Sequence, residues 1–227
     1  MQRTRETVIA SLAQAILSSR PSRPSRPLRV AVDGRTASGK TTLADELSAV
    51  IRQIGRPVIR TSIDGFHRPK AERYVRGRYS AEGYYRDARD LDAIVELLLK
   101  PLGPDGDRRY CTASFDLAAD VPLPLAFSAA DPQAVLVVDG TFLQRPELRS
   151  WWDYVVFVNV DEHVAQRRGI ARDAVHLGDE QLAAKLFAER YRPAFGLYKR
   201  EVDPEAQADA VLANDDFDNP ALQIRDR

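Results

Sequence analysis

A second cysteine is missing from this chain of 227 residues, which rules out an intrachain disulfide and suits a reducing compartment. Cys111 stands alone without the neighbours a catalytic thiol needs, so it reads as a small, partly buried core residue. Net charge is missing too. The 33 Lys and Arg offset 33 Asp and Glu, leaving no bulk electrostatic reason to expect a nucleic-acid or membrane partner. Lysine is scarce, confined to Lys40, Lys70, Lys100, Lys185 and Lys199, and the arginine excess reads as compositional bias rather than as a binding signal. No apolar run is long enough to span a bilayer. The stretch from Val8 to Leu17 behind Arg3 and Arg5 imitates a signal peptide, yet Glu6, Gln14 and the spacing Val8, Leu12, Ala15 or Ile16 describe an amphipathic helix. The expectation is a cytoplasmic protein, and a homo-oligomer is compatible with the sequence.

What is present is enough apolar content, 44%, for one sizeable α/β core. Gly34-Arg35-Thr36-Ala37-Ser38-Gly39-Lys40-Thr41 fills every specified position of the GxxxxGK(S/T) phosphate loop. Its context fits as well. Leu28 to Val32 precede it as a buried strand, and Leu43, Leu47, Val50 or Ile51, and Ile54 follow at helical spacing. Such a loop turns backbone N–H groups inward as an anion cradle, with Gly34, Thr36, Ala37, Ser38, Gly39, Lys40, Thr41 and Thr42 against the phosphates of ATP. Lys40 adds a full charge, and the Thr41 hydroxyl is placed for Mg2+.

Pro21, Pro24 and Pro27 recur at three-residue intervals as an extended linker, dividing an N-terminal region, 1–27, from a domain over 28–227. Pro57 to Ile63 reads as a second strand ending at Asp64-Gly65-Phe66-His67, followed by a polar, Tyr- and Arg-rich excursion over 68–86. Leu91, Ile94, Val95 and Leu98 mark a helix, and a strand or hairpin is expected from Tyr110 to Leu117. Ala134 to Val138 and Tyr154 to Val158 are near-continuous apolar runs, as in central parallel strands covered on both faces. Helices over 161–174 and 179–200 precede a short strand at Ala210 to Leu212. Alternating strands and helices predict a doubly wound, mostly parallel α/β sheet with an Arg-bearing helical lid.

In open α/β sheets ligands gather outside the carboxyl ends of the strands, where the phosphate loop, Asp64 and Asp139 all fall. Asp139, after four apolar residues, reads as a carboxylate holding Mg2+ directly or through water; Asp64 reads as the acceptor of a hydroxyl proton close to that metal and, with Thr41 and Asp139, as a candidate to hold it. Arg168 and Arg172 lie four apart on a helix and share a face, suited to clamping a transferring phosphoryl group. A GTPase would carry NKxD and an ABC-type ATPase a Glu after Asp139 and an LSGGQ string. Neither is present, although a P-loop ATPase or switch stays open as an alternative.

The order of phosphate loop, Asp64-Gly65-Phe66-His67, Asp87-Ala88-Arg89-Asp90, Val138-Asp139-Gly140, Arg168 to Asp173, Arg192-Pro193-Ala194-Phe195 and Ala208-Asp209 resembles the uridine kinase-like branch of the phosphoribulokinase/uridine kinase family. The resemblance covers about residues 28 to 220. It implies ATP- and Mg2+-dependent phosphorylation of a small-molecule hydroxyl, with a nucleoside as acceptor, Asp64 as base, and Lys40, Arg168 and Arg172 on the phosphates. His67, Tyr84, Tyr85, Asp87 and Phe115 are the candidates for holding the acceptor. Two departures stand out: Tyr84 occupies the register of an Asp that holds ribose hydroxyls in the family, and Asp120 that of a base-reading His. The Asp-Gly-Phe string also resembles pantothenate kinases and small sugar kinases, so a pantothenate, sugar or glycerate acceptor is the alternative.

Overall fold

The computed structural model describes residues 4–19 and 25–225; of the expected linker, residues 20–24 with Pro21 and Pro24 lie outside the described residues. Ten strands and ten helices follow in chain order: α1 (Arg5–Ser18), β1 (Leu28–Gly34), α2 (Lys40–Gln53), β2 (Val58–Ser62), α3 (Lys70–Arg73), α4 (Ala81–Arg86), α5 (Leu91–Ile94), β3 (Arg109–Tyr110), β4 (Phe115–Asp116), β5 (Val121–Pro122), β6 (Ser128–Ala129), β7 (Val135–Gly140), α6 (Pro146–Arg149), β8 (Tyr154–Asn159), α7 (Glu162–Leu177), α8 (Glu180–Leu186), α9 (Arg192–Val202), α10 (Pro204–Gln207), β9 (Ala210–Ala213) and β10 (Ala221–Ile224). A six-stranded sheet runs in the order β10-β9-β8-β1-β7-β2, parallel except where β10 pairs antiparallel with β9. This is the doubly wound α/β architecture that the alternation of strands and helices predicts.

Strand side chains alternate between two apolar layers, as a pleat of period two requires. Leu28, Val30, Val32, Val135, Val137, Val156 and Val158 face one side, where Val8, Leu12 and Ile16 of α1 and Leu43, Leu47 and Ile51 of α2 cover them. Ala31, Leu136, Val138, Val155 and Phe157 face the other, beneath Tyr85, Leu98, Phe195 and Tyr198. The first helix therefore shares the core of the sheet. Between β2 and β7 the expected hairpin is reduced to two-residue pairings, β3 with β6 and β4 with β5.

The helix expected over 179–200 is three segments. α8 passes into a π-helical turn at Phe187–Tyr191 and then into α9, whose first turn contains Pro193. A proline has no N–H to give to the preceding turn, and widening that turn is a common way to accommodate one. α7 is longer than the periodicity indicates: Asp161 caps it by accepting from His163 N at 2.8 Å and Val164 N at 3.3 Å, and Gly178, left-handed at φ 67°, ends it.

Candidate active site

β1 delivers the phosphate loop at the centre of the sheet edge. Gly34 and Gly39 adopt φ 153° and 92°; a Cβ on Gly34 would lie 2.6 Å from Val158 O, and one on Gly39 would lie 2.6 Å from Asn214 Nδ2. Both positions require glycine. Asp33, the residue before the loop, is fully buried. Its carboxylate accepts from Gly34 N (2.8 Å), Phe142 N (3.1 Å), Gln144 Nε2 (3.1 Å) and the Tyr198 hydroxyl. Burial pushes its pKa up, against those hydrogen bonds. The interaction ties the loop's entry to the segment after β7, and sequence reasoning missed it; an acidic residue inside the apolar run Leu28 to Val32 and its loop was the available signal.

A cavity of about 390 Å³ opens beside the loop, reached by Thr36, Ala37, Lys40, Thr41, Asp64, His67, Tyr84, Asp139 and Arg172. Lys40 Nζ donates to Arg35 O at 2.6 Å, folded back along the cradle. Burial lowers its pKa to about 8, against the attraction of Asp139, Asp33 and Asp64 and with Arg172 adding to the lowering. Thr41 Oγ1 donates to Asp139 Oδ2 at 2.6 Å. Arg60 Nη1 lies 2.7 Å from Asp139 Oδ1 as an ion pair, out of line for a hydrogen bond, which leaves that buried oxygen without a hydrogen-bond donor.

A hydroxyl and a carboxylate oxygen in contact at the lip of an anion cradle are a hard-oxygen donor set that fits Mg2+. Among the described residues no group of three or more His, Cys, Asp or Glu forms a metal cage. Mg2+ bound through few protein oxygens and substrate phosphates needs none.

Asp64 sits just past β2, its carboxylate open to water within the cavity but walled in by protein. Arg89 Nη2 donates to Asp64 Oδ1 at 2.7 Å. Burial works to raise the Asp64 pKa, and Arg89, His67 and Lys40 outweigh it and hold the pKa below the usual carboxylate range. His67 Nδ1 lies 3.0 Å from Asp64 O. Burial and the adjacent Arg89 depress the His67 pKa to about 4, so the ring is neutral near pH 7, Nδ1–H donates to that carbonyl and Nε2 is left as an acceptor.

Other predicted positions lie elsewhere. Arg168, expected to clamp phosphates beside Arg172, points away from the cavity and donates to Asn214 O at 2.9 Å and Asp215 O at 2.6 Å. Those carbonyls claim its guanidinium, so only Arg172 of the pair lines the cavity. Tyr85, expected against the acceptor, is 2% exposed, packed edge-on against Phe142 with its hydroxyl donating to Glu201. Asp87 pairs with Arg76 at 2.9 Å, and Phe115 is buried in the small β4–β5 pairing; neither reaches the cavity. Thr42 is exposed on the first turn of α2, outside the lining. Gly34, Ser38 and Gly39 lie in the loop but not in the cavity lining. Cys111 is buried.

The structure adds cationic and aromatic residues that sequence reasoning did not single out. Lys70, Arg73, Arg89 and Arg190 line the cavity with Tyr74 and Tyr191. A signal existed for Arg89, which stands where the family's D-A-F-D string has Phe.

A sheet with a phosphate loop at its central strand, a Thr–Asp pair beside it and a second strand-end carboxylate across the same cavity defines a P-loop kinase architecture. No family model matches the chain. It is 27% identical over 199 residues to the chloroplastic uridine/cytidine kinase of Arabidopsis thaliana, covering 83% of this chain but only 39% of that protein. It is likewise 27% identical over 173 residues to uridine-cytidine kinase B of Dictyostelium discoideum, covering 74% of this chain and 68% of that one. A solved structure of a possible uridine kinase from Bacillus stearothermophilus matches with a TM-score of 0.70 at 25% identity, over 90% of this chain and 97% of its own. In sequence and in fold the chain is similar to uridine kinase-like P-loop kinases, and it spans 39% of the length of the Arabidopsis relative. Among the described residues no helix is long and apolar enough to cross a membrane.

Proposed function

We propose that the protein transfers the γ-phosphoryl group of ATP, with Mg2+, to a hydroxyl of a small molecule. The observation that carries this reading is the convergence of Lys40, the Thr41–Asp139 pair, Asp64 and Arg172 on one cavity. Mg2+, held by Thr41 and Asp139, would supply positive charge to the phosphate oxygens. Lys40 leaves Arg35 O to meet the same phosphates, and Arg172 reaches them from α7. Asp64 is ionised at neutral pH because Arg89 holds it so; Arg89 occupies Oδ1 and leaves Oδ2 to accept the proton from the acceptor hydroxyl. That proton leaves to water as the new O–P bond forms and ADP departs.

The names of the relatives make uridine and cytidine the first acceptors to assay. Acceptor-dependent ADP release is expected, with Asp64→Asn lowering kcat by about 100- to 10,000-fold while ATP affinity stays within a few-fold. Undiminished turnover by Asp64→Asn would remove the assigned base, and ADP release indifferent to every acceptor would favour an ATPase.

A further inference from the structure

Arg190 has no role in the chemistry above and is placed unlike any other cation of the cavity. It is 8% exposed, lies in the π-helical turn before Pro193, and points into the cavity. Lys40 belongs to the phosphate loop, Arg172 pairs with Asp173 at 2.8 Å, and Lys70 is exposed. Arg89 is neutralised by Asp64 at 2.7 Å and Arg73 by Asp120 at 2.9 Å. Among the described residues no carboxylate lies within ion-pair distance of Arg190, and its Nε is buried without a hydrogen-bond partner. Tyrosines hold it instead. Its guanidinium is 4.7 Å from the Tyr84 ring centroid and 5.3 Å from that of Tyr74. A buried guanidinium without an anion is costly, and planar donors with aromatic walls suit a carboxylate or phosphate.

Resting on the kinase reading, we propose that the acceptor carries an anionic group, a carboxylate or a phosphate, that binds Arg190 while its hydroxyl meets Asp64. The path between them is short and continuous: Asp64 contacts Arg89, Arg89 lies 5.7 Å from the Tyr84 ring, and Tyr84 lies under Arg190. Asp64 and Arg190 both line the one cavity, so a single acceptor bound there has access to both. The cavity also carries surplus positive potential on this side. Burial works to raise the Tyr74 pKa, yet hydrogen bonds and charge from Arg73 and Arg190 bring it below its usual value. The two departures from the family pattern fall here as well. Tyr84 forms the aromatic wall of Arg190 where a ribose-holding Asp would stand, and Asp120, in the register of the base-reading His, is consumed in holding Arg73.

The first test is calorimetric titration of inorganic phosphate and of malonate into the wild-type protein saturated with Mg2+ and a non-hydrolysable ATP analogue, so that the phosphate loop is already filled. Binding of either anion, weakened about 10- to 100-fold in Arg190→Gln and partly restored in Arg190→Lys, is expected. Absence of binding by both, or equal binding by Arg190→Gln, overturns the proposal. The second test compares kcat/KM for matched acceptors: glycerate with glycerol, pantothenate with pantothenol, ribose 5-phosphate with ribose, and uridine and cytidine. The anionic member should lead its neutral partner by about 100-fold or more, hydroxy acids leading if the group is a carboxylate and sugar phosphates if it is a phosphate. Arg190→Gln should raise the KM of that acceptor and leave the KM of ATP within two-fold; a shift in the ATP value instead puts Arg190 on the nucleotide and overturns the proposal. Uridine or cytidine outrunning every anion overturns it and leaves the kinase reading standing. ADP release indifferent to all acceptors ends the kinase reading and the proposal with it. Absence of anion binding and the ranking of the matched acceptors are both read on wild-type protein, so those two outcomes need no variant to fold.

Discussion

Lys40 is the residue whose protonation the structure ties most directly to nucleotide binding. Its pKa falls to about 8 in the ligand-free fold, first from burial. A triphosphate would restore the charge, so binding above pH 8 must take up a proton and weaken as pH rises. Calorimetry at pH 8.5 in two buffers of different ionisation enthalpy is expected to show net proton uptake on ATP binding; none, with flat affinity from pH 7 to 9, would contradict this environment for Lys40. The stability consequence has a definite sign. Between about pH 8 and 10.5 the unfolded chain holds the Lys40 proton that the folded chain has released, so this group's contribution favours the fold increasingly as pH rises through that window. That Lys40, Thr41, Asp64 and Asp139 meet at one cavity is legible from sequence, because they follow strand ends and strand ends of a parallel sheet share an edge. Arg168 and Arg172 show the limit of such reasoning. Helical spacing puts them on one face, but only the carbonyls of Asn214 and Asp215, distant in sequence, divert Arg168.

At the scale of the element, the π-helical turn between α8 and α9 decides what the cavity presents. Arg190 and Tyr191 look like ordinary solvent-facing helical residues in sequence, and no periodicity rule anticipates a widened turn there. Phe187 anchors the turn against α7. A Cβ on Gly169 would come within 1.8 Å of the Phe187 ring, and Phe187 meets Tyr191 edge-on at 5.1 Å. Gly169→Ala should therefore cost about 1–3 kcal/mol by overpacking, read as a lower denaturation midpoint, with ATP affinity near wild type. An unchanged midpoint would mean that the ring moves aside freely. The short strands β3 to β6 show a second limit. Two-residue pairings carry too few alternating positions for sequence to separate them from loop.

Across the whole molecule, the first helix and the last loop meet at the phosphate loop. Arg5 of α1 bonds Glu46 of α2 at 2.7 Å, Asn214 Oδ1 at 3.0 Å and Phe217 O at 2.9 Å, and stacks 3.9 Å over the Phe217 ring. Asn214 Nδ2 in turn donates to Ser38 O at 2.8 Å inside the cradle. Arg5→Ala is expected to lower stability by about 1–3 kcal/mol, the range for losing charged hydrogen bonds from a group that is mostly buried, and to raise the KM of ATP several-fold with little change in kcat. A melting shift without any change in KM would make the contact purely structural. The amphipathic spacing of Val8, Leu12 and Ile16 reveals α1, whereas its contact with the cradle runs through a fold-back across the length of the chain that no local pattern encodes.

That brace through Asn214 also sets an order of events during synthesis. Ser38 leaves the ribosome early and Asn214 late, so five of the six strands of the main sheet have been made before the partner of this loop hydrogen bond is available. Nucleotide is therefore a poor template for the early folding chain and a good fastener for the finished one, and its stabilising effect should grow abruptly once the segment after β9 has been made.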